Sequence, residues 1–162
     1  MGEWGDEQGF IELRVVHSIM AVELQRPVEF SMIDMANIAY YPRLFDLAHR
    51  FFEASWVEIC GITYPEIVQG MGLGFPVVNT EAAFLGPVRY GDTITAKIVI
   101  KHIGTSSLTW GYEFHNQHQE MVWRSTQVTV CVSMDSMAST PIPNDLRAGL
   151  EQHLEVTEDG SE

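Results

Sequence analysis

The residues that invite a chemical reading stand together early in the chain. Asp34 lies seven positions before Tyr41, and Pro42 follows directly. A long amphipathic helix starts at that point, and a helix start offers unpaired N–H groups and the positive end of the helix dipole. Pro42 cannot donate a hydrogen bond, so the Tyr41 N–H is a natural free donor at the helix mouth. A carboxylate in this place can act as a nucleophile or as a general base on water. The neighbouring N–H groups can hold a developing oxyanion. The residues around Asp34 are Met32, Ile33, Met35, Ile38 and Ala39. An acid among such neighbours is expected to be partly desolvated, with a raised pKa. The alternative is a loop acid that forms a turn before a helix.

The helix is the clearest element. Leu44, Leu47, Ala48, Phe51, Phe52, Ser55, Trp56 and Ile59 recur at steps of three and four, which makes one stripe. Asp46 and Arg50 can pair off that stripe, and Gly61 ends the helix. A short second helix is expected over Tyr64–Met71. The run Ala21–Met32 reads as a first strand, with Pro27 marking an edge or bulge. Residues 11–20 are ambiguous between strand and helix.

Beyond residue 74 the period becomes alternating. Phe75–Leu85 is a strand candidate. Ile94, Ala96, Ile98 and Ile100 share a face in the next strand, and Leu108, Trp110, Tyr112 and Phe114 share a face in the one after it. The last long strand carries Val122, Thr126, Val128, Val130 and Val132 on one side. Turns are expected at 104–106 and 116–119. A closing helix is expected within 143–154.

Short turns between strands make an antiparallel meander. The long helix must bury its stripe on the curved face of that sheet. The expected class is therefore α+β, a hot-dog fold with an antiparallel sheet wrapped around one central helix. The expected organisation is an arm over residues 1–20, the hot-dog domain over 21–142, and a closing helix with an acidic tail over 143–162.

Formal net charge is −13 over 162 residues. Nucleic acid is an unsuitable partner, because phosphate binding needs clustered Lys and Arg. No apolar run is long enough to cross a membrane, and the acidic N-terminal segment lacks the pattern of a signal peptide. A cytoplasmic location is expected. Cys60 and Cys131 form neither a CxxC pair nor a zinc spacing. His17, His49, His102, His115, His118 and His153 are scattered, so no metal is expected.

The stretch Val28–Trp56 resembles the 4-hydroxybenzoyl-CoA thioesterase family of hot-dog enzymes, through Glu29, Phe30, Asp34, Ala36, Ile38, Tyr40, Tyr41 and Pro42. The strand–turn–strand Phe84–Ile100, with Gly91-Asp92, agrees. The resemblance runs from about Val22 to Ser133. It implies an acyl-coenzyme A thioesterase in which Asp34 attacks the thioester or activates water, while the Tyr41 N–H polarises the carbonyl. Coenzyme A belongs to the substrate, and no further cofactor is implied.

Asn37 replaces a usual glycine of the family, and either residue tolerates the left-handed conformation. Asn37 and Tyr40 are candidate substrate contacts. The family's basic cluster for the coenzyme A phosphates is thin here. Ser106, Ser107 and Arg89 are the candidates, with Lys101, His102 and Arg124 beside them. Glu53, on the helix, ranks below Asp34 as a catalytic carboxylate. The aromatic residues favour an aryl acyl group by stacking. A homodimer or homotetramer is expected, because one hot-dog sheet leaves an edge strand bare. The competing readings are a hot-dog hydratase or dehydratase, which needs a His that the Asp34 loop lacks, and an acyl-CoA-binding protein without catalysis.

Overall fold

The structure is a computed structural model that describes residues 20–156. The ambiguity over residues 11–20 and most of the arm fall outside the described residues, as do residues 157–162.

Five strands form one antiparallel sheet in the order β1-β4-β5-β6-β3. They are β1 (Val22–Pro27), β3 (Val77–Phe84), β4 (Thr93–Ile103), β5 (Ser107–His115) and β6 (Met121–Val130). Two short strands, β2 (Leu73–Gly74) and β7 (Val132–Ser133), pair separately. The helix α1 (Tyr41–Cys60) lies on the inner face of the sheet, giving the expected hot-dog arrangement.

The helix forms where its sequence dictates. Pro42 stands in the first turn, and Gly61 closes the helix at φ 69°. Its buried residues are the eight of the predicted stripe. Asp46 and Arg50 pair at 3.1 Å on the outside. The stripe meets the inward residues of β5 through aromatic rings. Phe51 packs on Phe114 with centroids 5.4 Å apart, and Phe52 on Trp110 at 5.1 Å. The predicted inward faces of β4 and β5 are both buried.

Two elements depart from expectation. The first strand stops at Pro27, and Phe30–Met32 turn as a short 3-10 helix, so Ala21–Met32 is not one strand. In β6 the inward face is Trp123, Ser125, Gln127 and Thr129, continued by Cys131 beyond the strand end. Val128 and Val130 are half-buried on the other face. The reading of Val122 to Val132 as one side of the strand does not hold throughout: Val122 and Val132 are buried, while the register to β5 and β3 turns Ser125, Gln127 and Thr129 inward between them. Trp110 Nε1 donates to Thr129 Oγ1 at 2.9 Å, which gives one of those inward polar groups a partner.

Helix α2 (Tyr64–Gln69) starts on a capping box between Thr63 and Glu66. The closing helix α3 (Asn144–Gln152) packs against α1. A Cβ on Gly149 would fall 2.4 Å from the Ile59 carbonyl oxygen, so only glycine permits this approach. No helix among the described residues is long and apolar enough to cross a membrane.

Candidate active site

The segment before α1 folds into a small hairpin. Ile33 and Ala39 bridge antiparallel, and the Tyr40 N–H donates to the Met32 carbonyl at 2.8 Å. At the tip the Asp34 N–H donates to the Ile38 carbonyl at 3.1 Å, and the Asn37 N–H to the Asp34 carbonyl at 3.0 Å. Asn37 has φ 67°, as the glycine-like reading of this position required. The Ala36 N–H donates to Asp34 Oδ1 at 2.8 Å, an Asx turn that fixes the carboxylate. Asp34 therefore is a turn-former, and the turn leaves Oδ2 without a hydrogen bond among the described residues.

The return strand of the hairpin runs straight into α1, whose N-cap is Tyr40 and whose first residue is Tyr41. Among the described residues no backbone acceptor takes the Tyr41 N–H, because a first-turn N–H has none within its own helix. Carboxylate and free donor are thus carried by one hydrogen-bonded unit. The Ala39 N–H anchors that unit to the Val88 carbonyl at 2.7 Å.

Asp34 is exposed in the single chain, which corrects the expectation of desolvation by its neighbours. Met32 and Ala39 point inward and are buried, but Met35 is fully exposed at the hairpin tip and Ile38 faces outward as well.

Next to the helix mouth lies an exposed aromatic shelf. Tyr41 contacts Tyr40 at 5.4 Å and Phe84 at 6.2 Å, and Phe45 contacts both Phe84 and Trp123. Tyr40, Tyr41 and Phe84 are each about half exposed. Phe45 and Phe84 were not singled out from the sequence. The available signal was that Phe45 lies one helical turn after Tyr41 and off the buried stripe.

The remaining candidates are dispersed. Arg89 lies in the connection beside the hairpin, where its N–H donates to the Asp92 carboxylate at 2.8 Å. Ser106 and Ser107 lie at the opposite end of the 11-residue strand β4, so roughly 35 Å of strand separates them from Arg89. Ser106 Oγ accepts from Ser139 Oγ at 3.0 Å. Lys101 and Arg124 line a shallow basin on the outer face of the sheet, away from α1. Within one chain these groups do not form a single phosphate site.

Glu53 pairs with His49 at 3.1 Å on the exposed side of α1. Burial pushes the Cys60 thiol up to about 11 and raises Cys131 as well, so both stay protonated near neutral pH and are poor nucleophiles. Among the described residues no group of three or more His, Cys, Asp or Glu side chains could hold a metal.

Comparison with known proteins bears on this arrangement. The description of the Thioesterase-like superfamily matches residues 10–150. A 1,4-dihydroxy-2-naphthoyl-CoA hydrolase of Thermosynechococcus vestitus is 25% identical over 137 residues, covering 85% of this chain and 93% of the relative. An enzyme of the same name from Prochlorococcus marinus subsp. pastoris is 28% identical over 133 residues, covering 79% and 87%. Among solved structures, a thioesterase-superfamily protein of Jannaschia sp. CCS1 matches with TM-score 0.79 and 24% identity, covering 85% and 95%. A 4-hydroxybenzoyl CoA thioesterase variant, complexed with 4-hydroxybenzoyl CoA, matches with TM-score 0.73 and 20% identity, covering 80% and 98%. These structural likenesses establish the fold.

Proposed function

The chain belongs to the thioesterase-like superfamily, and on that premise we propose that it hydrolyses acyl-coenzyme A thioesters, with Asp34 as the catalytic carboxylate and the Tyr41 N–H as the oxyanion donor. The observation that carries this reading is the continuity of the hairpin with α1. One hydrogen-bonded unit carries a carboxylate at its tip and, seven residues on, an unpaired helix N-terminal donor.

Two routes are open to Asp34. In one, the carboxylate attacks the thioester carbonyl carbon, the C–S bond breaks, coenzyme A leaves as the thiolate, and water then hydrolyses the anhydride. In the other, Asp34 takes a proton from the water that attacks. Both pass through a tetrahedral oxyanion, which the Tyr41 N–H and the helix dipole stabilise. Asn37 shapes the turn that holds Asp34.

The acyl group is aromatic in this proposal. The relatives named above act on 1,4-dihydroxy-2-naphthoyl-CoA, and the shelf of Tyr40, Tyr41, Phe45 and Phe84 offers ring edges and faces to an aryl group. Arg89 is the candidate cation nearest the hairpin, while Ser106 and Ser107 serve only if a partner subunit brings them near.

The working unit is a homo-oligomer, at least a dimer. Among the described residues strand β3 pairs only with β6 and is exposed along nearly its whole length, and the aromatic shelf lies against its end. A second subunit on that edge would cover both and exclude water from Asp34. Action in the cytoplasm is part of the same proposal.

The test is thiol release from a panel of aryl-, alkyl- and hydroxyaryl-CoA thioesters, with acyl-carrier-protein thioesters alongside. The expected result is turnover of aryl-CoA, with the acyl-carrier-protein thioesters slower because an acidic enzyme repels an acidic carrier. Binding of aryl-CoA without any thiol release would establish the non-catalytic reading instead.

A further inference from the structure

The hairpin that carries Asp34 is anchored on a peptide group that is itself held from its other side. The Val88 carbonyl accepts from the Ala39 N–H at 2.7 Å. The N–H of the same peptide unit belongs to Arg89, and it donates to Asp92 Oδ2 at 2.8 Å. A peptide unit is planar and rigid, so the direction of its carbonyl follows the direction of its N–H. The Asp92 carboxylate therefore aims the acceptor on which the hairpin hangs. A hydrogen bond to an ionised acceptor is the stronger kind, and it polarises the carbonyl at the opposite edge of the unit.

Asp92 is aimed in turn. Its second oxygen, Oδ1, accepts from Gln117 Nε2 at 3.0 Å, and Gln117 Oε1 accepts from the Thr93 N–H at 3.1 Å. Both ends of the Gln117 amide are thus committed to the residues that close the connection into β4. Gln117 sits in the turn between β5 and β6, which the buried Asn116 fixes. Asn116 Oδ1 accepts from the His118 N–H at 2.9 Å and from the Glu120 N–H at 3.1 Å, and Asn116 Nδ2 donates to Glu120 Oε2 at 2.9 Å.

We propose that Gln117 is a positioning residue for thioester hydrolysis, acting through Asp92 and the Val88–Arg89 peptide on the hairpin of Asp34. The inference rests on the reading of Asp34 as the catalytic carboxylate. Gln117 is exposed, and an exposed side chain contributes little to the stability of a core. Ordering a long side chain at both ends of its amide costs conformational entropy. The observed bonds give that ordering a use, since each link from the fixed turn to the hairpin anchor is a direct hydrogen bond or one rigid peptide. Catalysis is more sensitive than stability to such a chain, because a small displacement of a reacting group lowers the rate while the fold persists.

The experiment exchanges the two partners. Gln117→Glu sets a carboxylate against that of Asp92. Asp92→Asn keeps an oxygen for the Arg89 N–H but sets its amide NH₂ against that of Gln117. In the double variant the introduced amide accepts from the Arg89 N–H and donates to the introduced carboxylate, which also accepts from the Thr93 N–H, so every bond returns. Measured are kcat and KM for an aryl-CoA, Tm, and amide hydrogen exchange by mass spectrometry. Each single variant is expected to lose about tenfold in kcat, inside the roughly hundredfold that a misplacement of about 1 Å costs. KM is expected to stay within about threefold, and Tm within about 2 °C of wild type. Exchange is expected to quicken over residues 33–40 and to stay unchanged in α1 and β5. The double variant is expected to recover kcat to within about threefold of wild type, the non-additivity of a coupled pair. Single variants that keep wild-type kcat, that lose it together with general destabilisation, or that the exchange of partners does not rescue overturn the proposal. Asp34→Asn in the same assay separates this failure from that of the catalytic reading. Full turnover by that variant removes both, whereas an inactive Asp34→Asn beside fully active single variants removes the positioning role alone.

Discussion

Asn37 provides a test of how the hairpin positions Asp34. Its φ of 67° lies in the left-handed region, and its N–H closes the turn on the Asp34 carbonyl at 3.0 Å. Holding an ordinary L-residue there costs about 1–2 kcal/mol, whereas glycine carries no such cost. The conformation is shared by the Asx turn that fixes the carboxylate, since Ala36 and Asn37 both donate to Asp34. Replacing Asn37 by Val therefore places roughly 1–2 kcal/mol of strain on that turn, a factor of about 5–30 in the population of the ordered hairpin. Replacing it by Gly leaves the turn intact. The assay is kcat for an aryl-CoA by thiol release, with thermal unfolding measured in parallel. Asn37→Gly is expected to keep kcat within about threefold of wild type, because its strain cost is nil. Asn37→Val is expected to lose about 5–30-fold in kcat, or to lower Tm by about 2–4 °C per kcal/mol if the strain spreads to the fold. A folded Asn37→Gly variant that loses as much activity as Asn37→Val would refute this reasoning, since the side-chain amide itself would then be acting on substrate or water.

Three further outcomes follow from the electrostatics. Cys60 and Tyr112 both have pKa values raised by burial, Cys60 to about 11 from 9.0. In each case the folded state keeps a proton that the unfolded chain gives up more readily. Stability is therefore full below the unfolded values and is lost as pH rises, between about 9 and 11 for Cys60 and from 10 upward for Tyr112, which a Tm series above pH 9 will show. Thiol alkylation at pH 7 should leave turnover unchanged, and rapid inactivation would show a working cysteine. The Michaelis constant for acyl-CoA should change little between low and physiological salt, because the described cations are dispersed and binding rests on apolar surface. A steep rise would reveal a basic site assembled between subunits from groups such as Arg89, Lys101 and Arg124.

Much of this architecture was legible because one periodicity decided it. The stripe of α1 and the inward faces of β4 and β5 bury the residues that the spacing names. The sequence signal was weaker wherever a second surface competed. In β6 Val122 is buried, but Val128 and Val130 lie on the outer face, and Ser125, Gln127 and Thr129 go inward in register with the core residues of β5. The strand predicted over Ala21–Met32 ended at Pro27, which supplies no N–H to continue a ladder. At the site, the start of α1 at Tyr41 was readable from residue type, and the left-handed Asn37 from the resemblance to a family with glycine at that position. The exposure of Asp34 was not, because apolar neighbours in sequence do not say which way they point.

The most direct test of the account is the turnover of Asp34→Asn on an aryl-CoA that wild type hydrolyses, with binding of the same thioester measured by titration. The substitution keeps the Oδ1 acceptor for the Ala36 N–H, so the hairpin should survive while the nucleophile or base is lost. The account predicts unchanged folding, retained binding, and a loss in kcat of about 10²–10⁴-fold or more. A folded Asp34→Asn variant that turns over within tenfold of wild type would contradict the assignment and move the catalytic carboxylate elsewhere, with Glu53 on α1 the next to examine.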